Sequence, residues 1–382
     1  MEGFETYAQV DLSVLERNLD AIRTRVGFRK ILLPVKANAY GHGLTEQSST
    51  GTMTAPLARF LQDRTAVDWF GVATVEEGVR LRAAGITLPI LKLSQTQNPE
   101  LARAIGAGLT LTVVDPVTIW EASAAAETVG TTVDVHLKID TGMRRIGCSP
   151  AVAARFAQLA EESPYLNLQG VFTHFAASED PGEDDFTNRQ IAQFREAVAD
   201  IEETLGRGLE LVHAANSGAV ERHEDAWFDM VRPGILAYGY SQSSPAEVGV
   251  DPVLSLVSHV SFVKTVHAGE TVSYGRTWVA SRDTRVATVP VGYGDGYARR
   301  LSNQAEVLIL GQRLPQIGTI CMDQIMVDLG PDSDIGVGEQ VTLIGRDRGE
   351  TIGADRLAGL AGTISYEILC DIASRVPRVY IG

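Results

Sequence analysis

Short apolar runs recur along the first part of the chain, separated by stretches with helical spacing. Ile31, Leu32, Leu33 and Val35 form such a run with no charge inside it, as suits a strand covered on both faces in a parallel sheet. Further strand-like runs fall at 69–75, 89–93, 109–113, 133–139, 168–175, 211–214 and 230–232. Helical patterns lie between most of them, at 75–84, 116–126, 150–162 and 186–205, with another at 55–62. A short strand at 7–10 leads to Asp11, a candidate cap for a helix with Leu12, Leu15, Leu19 and Ile22 on one face. Counting the run Ile31–Val35, these are eight strands with helical connections, which predicts a (β/α)8 barrel; a doubly wound open sheet is the rival. The barrel puts functional residues at the C-terminal ends of strands. Lys36, Lys138 with Asp140, His174, Asn216 with Ser217, and Arg232 all fall at such ends.

Beyond residue 242 the texture changes. Val- and Gly-rich segments at 254–266, 285–291, 305–310, 317–327, 340–344 and 378–381 follow one another with turn signals between them. They predict an antiparallel β domain. The expected class is therefore α/β plus all-β: a barrel over 11–241 and a C-terminal β domain over 242–382, which residues 1–10 can join. Ser, Pro and Gly cluster at the junction, 241–250. The stretch 45–68 has no ready assignment, and the acidic loop 178–185 reads as a solvated turn.

Composition narrows the function. A chain of 382 residues with 45% hydrophobic and 21% charged positions is ordinary for two globular domains. Its net charge of −15 argues against nucleic acid or an anionic membrane as partner. A bound phosphate would need local basic groups or backbone donors. Three widely separated cysteines, Cys148, Cys321 and Cys370, imply neither a disulfide framework nor a metal pair. The start MEGFETYAQVDL has no basic, apolar leader, and no apolar run of about 18 residues occurs. The expectation is a soluble cytoplasmic protein.

Lys36 is the first candidate for chemistry. A lysine at the end of a buried strand sees a low dielectric that favours its neutral amine. It can then attack a carbonyl cofactor such as pyridoxal phosphate, or simply leave the core for solvent. Its surroundings, PVKANAYGHG at 34–43, closely resemble the lysine motif of alanine racemases, pyridoxal-phosphate enzymes of the barrel fold type. The segment VRPGI at 231–235 resembles the racemase stretch that meets the pyridine nitrogen and one edge of the phosphate. There Arg232 can only donate to the ring nitrogen, leaving it unprotonated; read without the family, it is an arginine capping the last strand. Gly234 and Ile235 would offer N–H groups to phosphate, and Ser217 a hydroxyl.

VHLKIDTGMRRIG at 135–147 resembles the family's substrate-carboxylate motif. The resemblance gives that grip to Arg145 and makes Lys138, often carbamylated in the family, its support. The family commonly has glycine where this chain has Arg144. Asp140 is expected to order the loop, and His174 to stand beside Arg232 in a relay towards a second base. That base, by resemblance, is Tyr274 in TVSYG at 271–275. ICMDQ at 320–324 resembles a loop completing the substrate site with Met322 and Asp323. PVGYGDGY at 290–297 puts Tyr293 at the entrance, and Tyr366 in TISYE at 363–367 would bind phosphate, with Tyr40 also beside the cofactor. Cys321 has no sequence neighbour that reads as its base and is taken as structural.

The resemblance implies an alanine racemase with two bases, Lys36 and Tyr274, acting on opposite faces of a pyridoxal-phosphate Schiff base. It also implies no metal, a homodimer with shared sites, and D-alanine supplied to cell-wall peptidoglycan. A serine or broad-specificity racemase on the same scaffold is the alternative. A barrel decarboxylase usually sets an acid against the pyridine nitrogen, where Arg232 stands. A pyridoxal-phosphate carrier of the barrel alone would lack the β domain with Tyr274 and Met322.

Overall fold

A computed structural model of the protein describes residues 6–47, 53–243 and 248–382. Parts of the unassigned 45–68 stretch and of the 241–250 junction, residues 48–52 and 244–247, lie outside the described residues, as do residues 1–5. The chain divides into two compact units. One comprises Leu15–Ala39 with Leu44–Asp251; the other comprises Met1–Val14, Tyr40–Gly43 and Pro252–Gly382.

The first unit is a closed barrel of eight parallel strands: Lys30–Pro34, Trp69–Val72, Ile90–Gln95, Thr110–Val113, Val133–Lys138, Leu166–Phe172, Leu211–His213 and Met230–Val231. The last strand closes on the first through Val231 and Ile31, which removes the open-sheet rival. Leu32, Trp69, Leu91, Leu211 and Met230 form an apolar cluster among the strands. Each is buried, because inward side chains fill such a barrel rather than leaving a pore. Helices start where local chemistry starts them. Thr74 and Glu77 form a reciprocal capping box for Val75–Ala83, and Asp115 with Thr118 does the same for Pro116–Val129. Helices Asn98–Gly106 and Ser217–Arg222 were not expected from the periodicity. In the 45–68 stretch, Glu46–Gln47 pairs with Met53–Thr54 ahead of helix Pro56–Asp63.

The second unit is built on one sheet. Its order is Phe262–Val266, Thr284–Val289, Ile325–Gly330, Gln312–Ile317, Glu306–Ile309, Gln340–Asp347, Leu254–His259, Tyr7–Asp11, Arg378–Ile381. The strands pair antiparallel except the last two, which are parallel. Two of the expected apolar runs are interrupted. The run 317–327 is not one strand: Gly318 turns the chain at φ +72, where a Cβ would come within 2.8 Å of Val272 O. A loop carrying Cys321, Met322 and Asp323 follows before the next strand begins at Ile325. The run 254–266 is likewise two strands, Leu254–His259 and Phe262–Val266. Segment Tyr40–Gly43 groups with this unit because Gly41 O accepts from Arg378 Nε at 2.9 Å and Gly43 O from the Tyr380 hydroxyl at 3.3 Å.

Candidate active site

Lys36 stands just past its strand at the head of a turn of the wrong hand. Ala37, Asn38, Ala39 and Tyr40 have φ of 52°, 57°, 52° and 53°. Left-handed backbone costs about 1–2 kcal/mol per L-residue, so the turn needs outside support. Glu77 supplies it: its carboxylate accepts the N–H groups of Ala37 (2.8 Å), Ala73 (2.8 Å) and Thr74 (3.0 Å). Asn38 Oδ1 accepts from Leu44 N–H at 2.8 Å, and Ala39 N–H donates to Val35 O at 2.9 Å. Sequence reasoning missed Glu77 as a site residue, although the T-x-x-E capping signature was there to be seen.

Arg232 follows the two-residue closing strand and is buried. Nη1 donates to His213 Nδ1 at 2.8 Å. Nη2 donates to Thr173 O (2.7 Å) and Ala214 O (2.8 Å), with His174 Nδ1 at 3.4 Å. Burial, then Arg145, push its guanidinium down to about 9, still cationic at neutral pH. Its Nε makes no hydrogen bond among the described residues, and neither do the N–H groups of Gly234 and Ile235. Ser217 Oγ accepts Leu236 N–H at 3.2 Å, which leaves the hydroxyl proton to give. Asn216 caps the same short helix through Ala219 N–H at 3.1 Å. The Tyr238 hydroxyl donates to Pro34 O at 3.1 Å, tying the Gly234 turn to the lysine strand.

Lys138 ends its strand with its ammonium over the Phe172 ring, 5.1 Å from the centroid. Burial and then Arg145, Arg232 and Lys36 push its amine down to about 7, against the pull of Asp140. Asp140 orders the following loop by accepting Gly142 N–H (2.9 Å) and Arg144 N–H (3.0 Å). Arg144 sits at φ 56, the left-handed region that a glycine would occupy at no cost. Arg145 is exposed and makes no hydrogen bond or ion pair among the described residues. Burial first, then Arg232, Lys138, Arg145 and Lys36, hold His174 neutral, well below the ordinary imidazole range. An acidic chain thus gathers four basic side chains, Lys36, Lys138, Arg145 and Arg232, around one set of strand ends. Those side chains, with donors that have no protein acceptor among the described residues, suit a phosphate, a carboxylate and an aromatic ring nitrogen.

The β unit holds the remaining candidates. Tyr40 is buried with its ring 5.8 Å from that of Tyr366. Desolvation, then Tyr366 and Cys370, keep its phenol protonated far above the usual range. Tyr274 follows Ser273, itself at φ 67, and its carbonyl accepts from Thr319 Oγ1 at 2.8 Å while its side chain stands 72% exposed. Tyr293 N–H donates to Cys321 O (3.1 Å) and Gly294 N–H to Met322 O (2.8 Å), which joins segment 290–297 to the Met322 loop. Asp323 is held by Arg375 Nη2 at 2.7 Å, whose Nε also donates to Asp295 at 2.8 Å. Cys321 Sγ lies 3.5 Å from Ser273 Oγ, and its described neighbours include no base. The structure therefore brings Lys36, Lys138, Arg145, His174, Ser217, Arg232, Gly234 and Ile235 together in the barrel. In the β unit it pairs Tyr40 with Tyr366, and Tyr293 with the Met322–Asp323 loop.

Comparison with known proteins agrees with both halves. Residues 10–242 match the family model of the alanine racemase N-terminal domain, and residues 253–380 that of the C-terminal domain. An alanine racemase of Cutibacterium acnes is 48% identical over 99% of this chain and 98% of its own. The solved alanine racemase of Clostridium difficile superposes with a TM-score of 0.91 at 34% identity, covering 100% of this chain and 97% of that one. A histidine racemase of Leuconostoc mesenteroides shares the fold at a TM-score of 0.88 and 28% identity, covering 100% and 99%. With both of its units matched over nearly their whole length, the chain belongs to the alanine racemase family.

Proposed function

We propose that this racemase interconverts L-alanine and D-alanine with pyridoxal 5′-phosphate held on Lys36, and that it works as a homodimer. The observation that carries the reading is Arg232, a buried cation that can only donate, with Nη1 and Nη2 committed to the protein and Nε uncommitted. Pyridoxal phosphate, when bound, supplies an electron sink that acidifies the substrate Cα–H bond, and a ring nitrogen left unprotonated by Arg232 tempers that sink. Such tempering suits proton transfer alone and opposes the decarboxylase reading.

The other residues take roles that their chemistry allows. Ser217, the N–H groups of Gly234 and Ile235, and the Tyr366 phenol would hold the phosphate; Tyr40 and His174 would complete the cofactor's surroundings. Arg145 would grip the substrate carboxylate, with Lys138 behind it, and Met322, Tyr293 and Asp323 would bound the substrate pocket. Lys36 exchanges the α-proton on one face and Tyr274 on the other, so neither base has to swing across. Base action by a phenol near neutrality needs positive charge nearby, which the reading assigns to Arg232 through His174. The exposure of Tyr274 supports a site completed by a second copy of the chain. Among the described residues, no helix is long and apolar enough to cross a membrane; a cytoplasmic enzyme supplying D-alanine for peptidoglycan is the role we assign.

The test is a panel of amino acids assayed for loss of optical rotation with added pyridoxal phosphate. Alanine should lead and serine follow, with each further group costing about 10–200-fold through crowding. Equal turnover of alanine, histidine and lysine would replace this reading with the broad-specificity one.

A further inference from the structure

Behind Arg232 the barrel carries two buried imidazoles, where the filling of such a barrel is ordinarily branched and apolar. His213 Nδ1 lies 2.8 Å from Arg232 Nη1, and His213 Nε2 lies 2.9 Å from His136 Nδ1. His136 Nε2 lies 3.4 Å from Gln169 Oε1, and Gln169 Nε2 lies 3.3 Å from Glu210 Oε1. Glu210 is exposed, immediately before strand Leu211–His213.

The two ends dictate every proton between them. A guanidinium only donates, so His213 Nδ1 accepts and its proton sits on Nε2. That N–H faces His136 Nδ1, which must accept in turn, leaving the His136 proton on Nε2 to be donated to Gln169. From the other end, the Glu210 carboxylate only accepts, so Gln169 turns its NH2 towards it and its carbonyl oxygen towards His136. Gln169 thus accepts from His136 and donates to Glu210, as both ends require. A second proton on either imidazole would set donor against donor. Burial, with Arg232 adding to it, holds His136 down at about 4 and His213 well below the ordinary range.

The backbone is shaped for this arrangement. The pairing of Val133–Lys138 with Leu166–Phe172 slips at Gln169: Val135 faces Leu168, whereas His136 faces Gly170. A bulge of this kind re-aims a side chain, and the extra residue is the one that reaches His136. At Gly170 a Cβ would come within 2.5 Å of Leu211 O and 3.2 Å of His136 Cε1. Phe172 lies flat on His213 with ring centroids 4.8 Å apart.

We propose that Gln169 and Glu210 are positioning residues for Arg232. They end a one-way hydrogen-bond chain through the barrel, which fixes both imidazoles as Nε2–H tautomers and so holds the guanidinium in one orientation. Its bearing on a cofactor ring rests on the proposed function; its polarity does not.

Nitrogen-15 spectra of the histidine side chains in the cofactor-loaded protein read the tautomers directly. Wild type should show His136 and His213 neutral and protonated at Nε2. In Gln169→Met, His136 should lose its tautomer preference, the cofactor absorption band should shift, and kcat should fall about twofold to tenfold, the worth of one hydrogen bond. Glu210→Ala, at an exposed position that does not endanger folding, should loosen the same tautomer to a lesser degree. Glu210→Gln, which keeps an acceptor oxygen, should restore it. An Nδ1–H or doubly protonated His213 in wild type would overturn the proposal. So would an unmoved His136 in both Gln169→Met and Glu210→Ala, or an unchanged kcat and spectrum in Gln169→Met. Correct tautomers in a protein that racemises no amino acid would leave the chain's polarity standing and remove the functional reading instead.

Discussion

In the barrel, Arg232 is 4% exposed and two of its three nitrogens are spoken for, whereas in the β unit Tyr274 stands 72% exposed and Met322 53%. The contrast separates two kinds of preorganisation. The barrel fixes charge states: Arg232 cationic, His174 neutral, Lys138 poised near neutrality. The β unit fixes backbone instead. Arg375 clamps Asp323 and Asp295, and Thr319 holds the Tyr274 carbonyl, while the Tyr274 and Met322 side chains reach outward. Charges need burial and fixed donors before a ligand arrives. Apolar and phenolic groups need only be aimed, and gain their burial from whatever covers them.

The sharpest way to break this contrast is to separate the two kinds of residue. Lys36→Ala and Tyr274→Phe should each lose about 10²–10⁴ of racemisation. A mixture of the two inactive variants should recover up to about a quarter of wild-type activity if one chain's tyrosine serves the other's lysine (an estimate resting on independent sites). No recovery after verified subunit exchange would mean that both bases come from one chain.

Arg232→Glu tests whether charge state is what the barrel controls. A carboxylate favours a protonated ring nitrogen, so transamination should rise relative to racemisation. Racemisation itself should drop by about 10²–10³, the range for losing one preorganised donor. An unchanged product ratio would count against any contact between Arg232 and the ring.

Glu77→Ala removes the acceptor for three N–H groups behind Lys36. Thermal unfolding should show a loss of about 1–3 kcal/mol, with slower turnover. A variant as stable as wild type would show that the turn holds itself.

The finest test concerns Lys138. Its amine is lowered from the ordinary 10.5 to about 7, so between those values the unfolded chain binds a proton that the folded chain does not. Stability should therefore climb with pH across that window and lose this slope in Lys138→Met. A neutral amine can also add carbon dioxide, forming an N–C bond and releasing a proton. Labelled bicarbonate should then give a carbamate carbonyl signal that Lys138→Met abolishes. No signal in wild type would remove the modification from the account.

The sequence was most legible where burial dictates it. The uncharged run Ile31–Val35 reads as a doubly covered strand, and barrel geometry then put Lys138, His174, Ser217 and Arg232 on the expected strand ends. The run 317–327 misled because its apolar residues continue on both sides of Gly318, so period alone hides the loop that carries Met322. The turn after Lys36 was illegible for another reason. Alanine has no left-handed signature, and the residue that stabilises the turn, Glu77, lies on a different element. His136, Gln169 and His213 sit on three strands with no local pattern joining them; only the closed barrel does that.

The turn at 37–40 has a stereochemical consequence. Left-handed helical backbone is the mirror of the ordinary helix, and so the resting conformation of D-residues. A chain proposed to make D-alanine thus carries L-alanine at positions 37 and 39, in a shape that D-alanine would adopt without strain. The ribosome offers only one hand, and Glu77 and Asn38 make up the difference. A synthetic chain with D-alanine at both positions would follow the same path and lean less on either anchor.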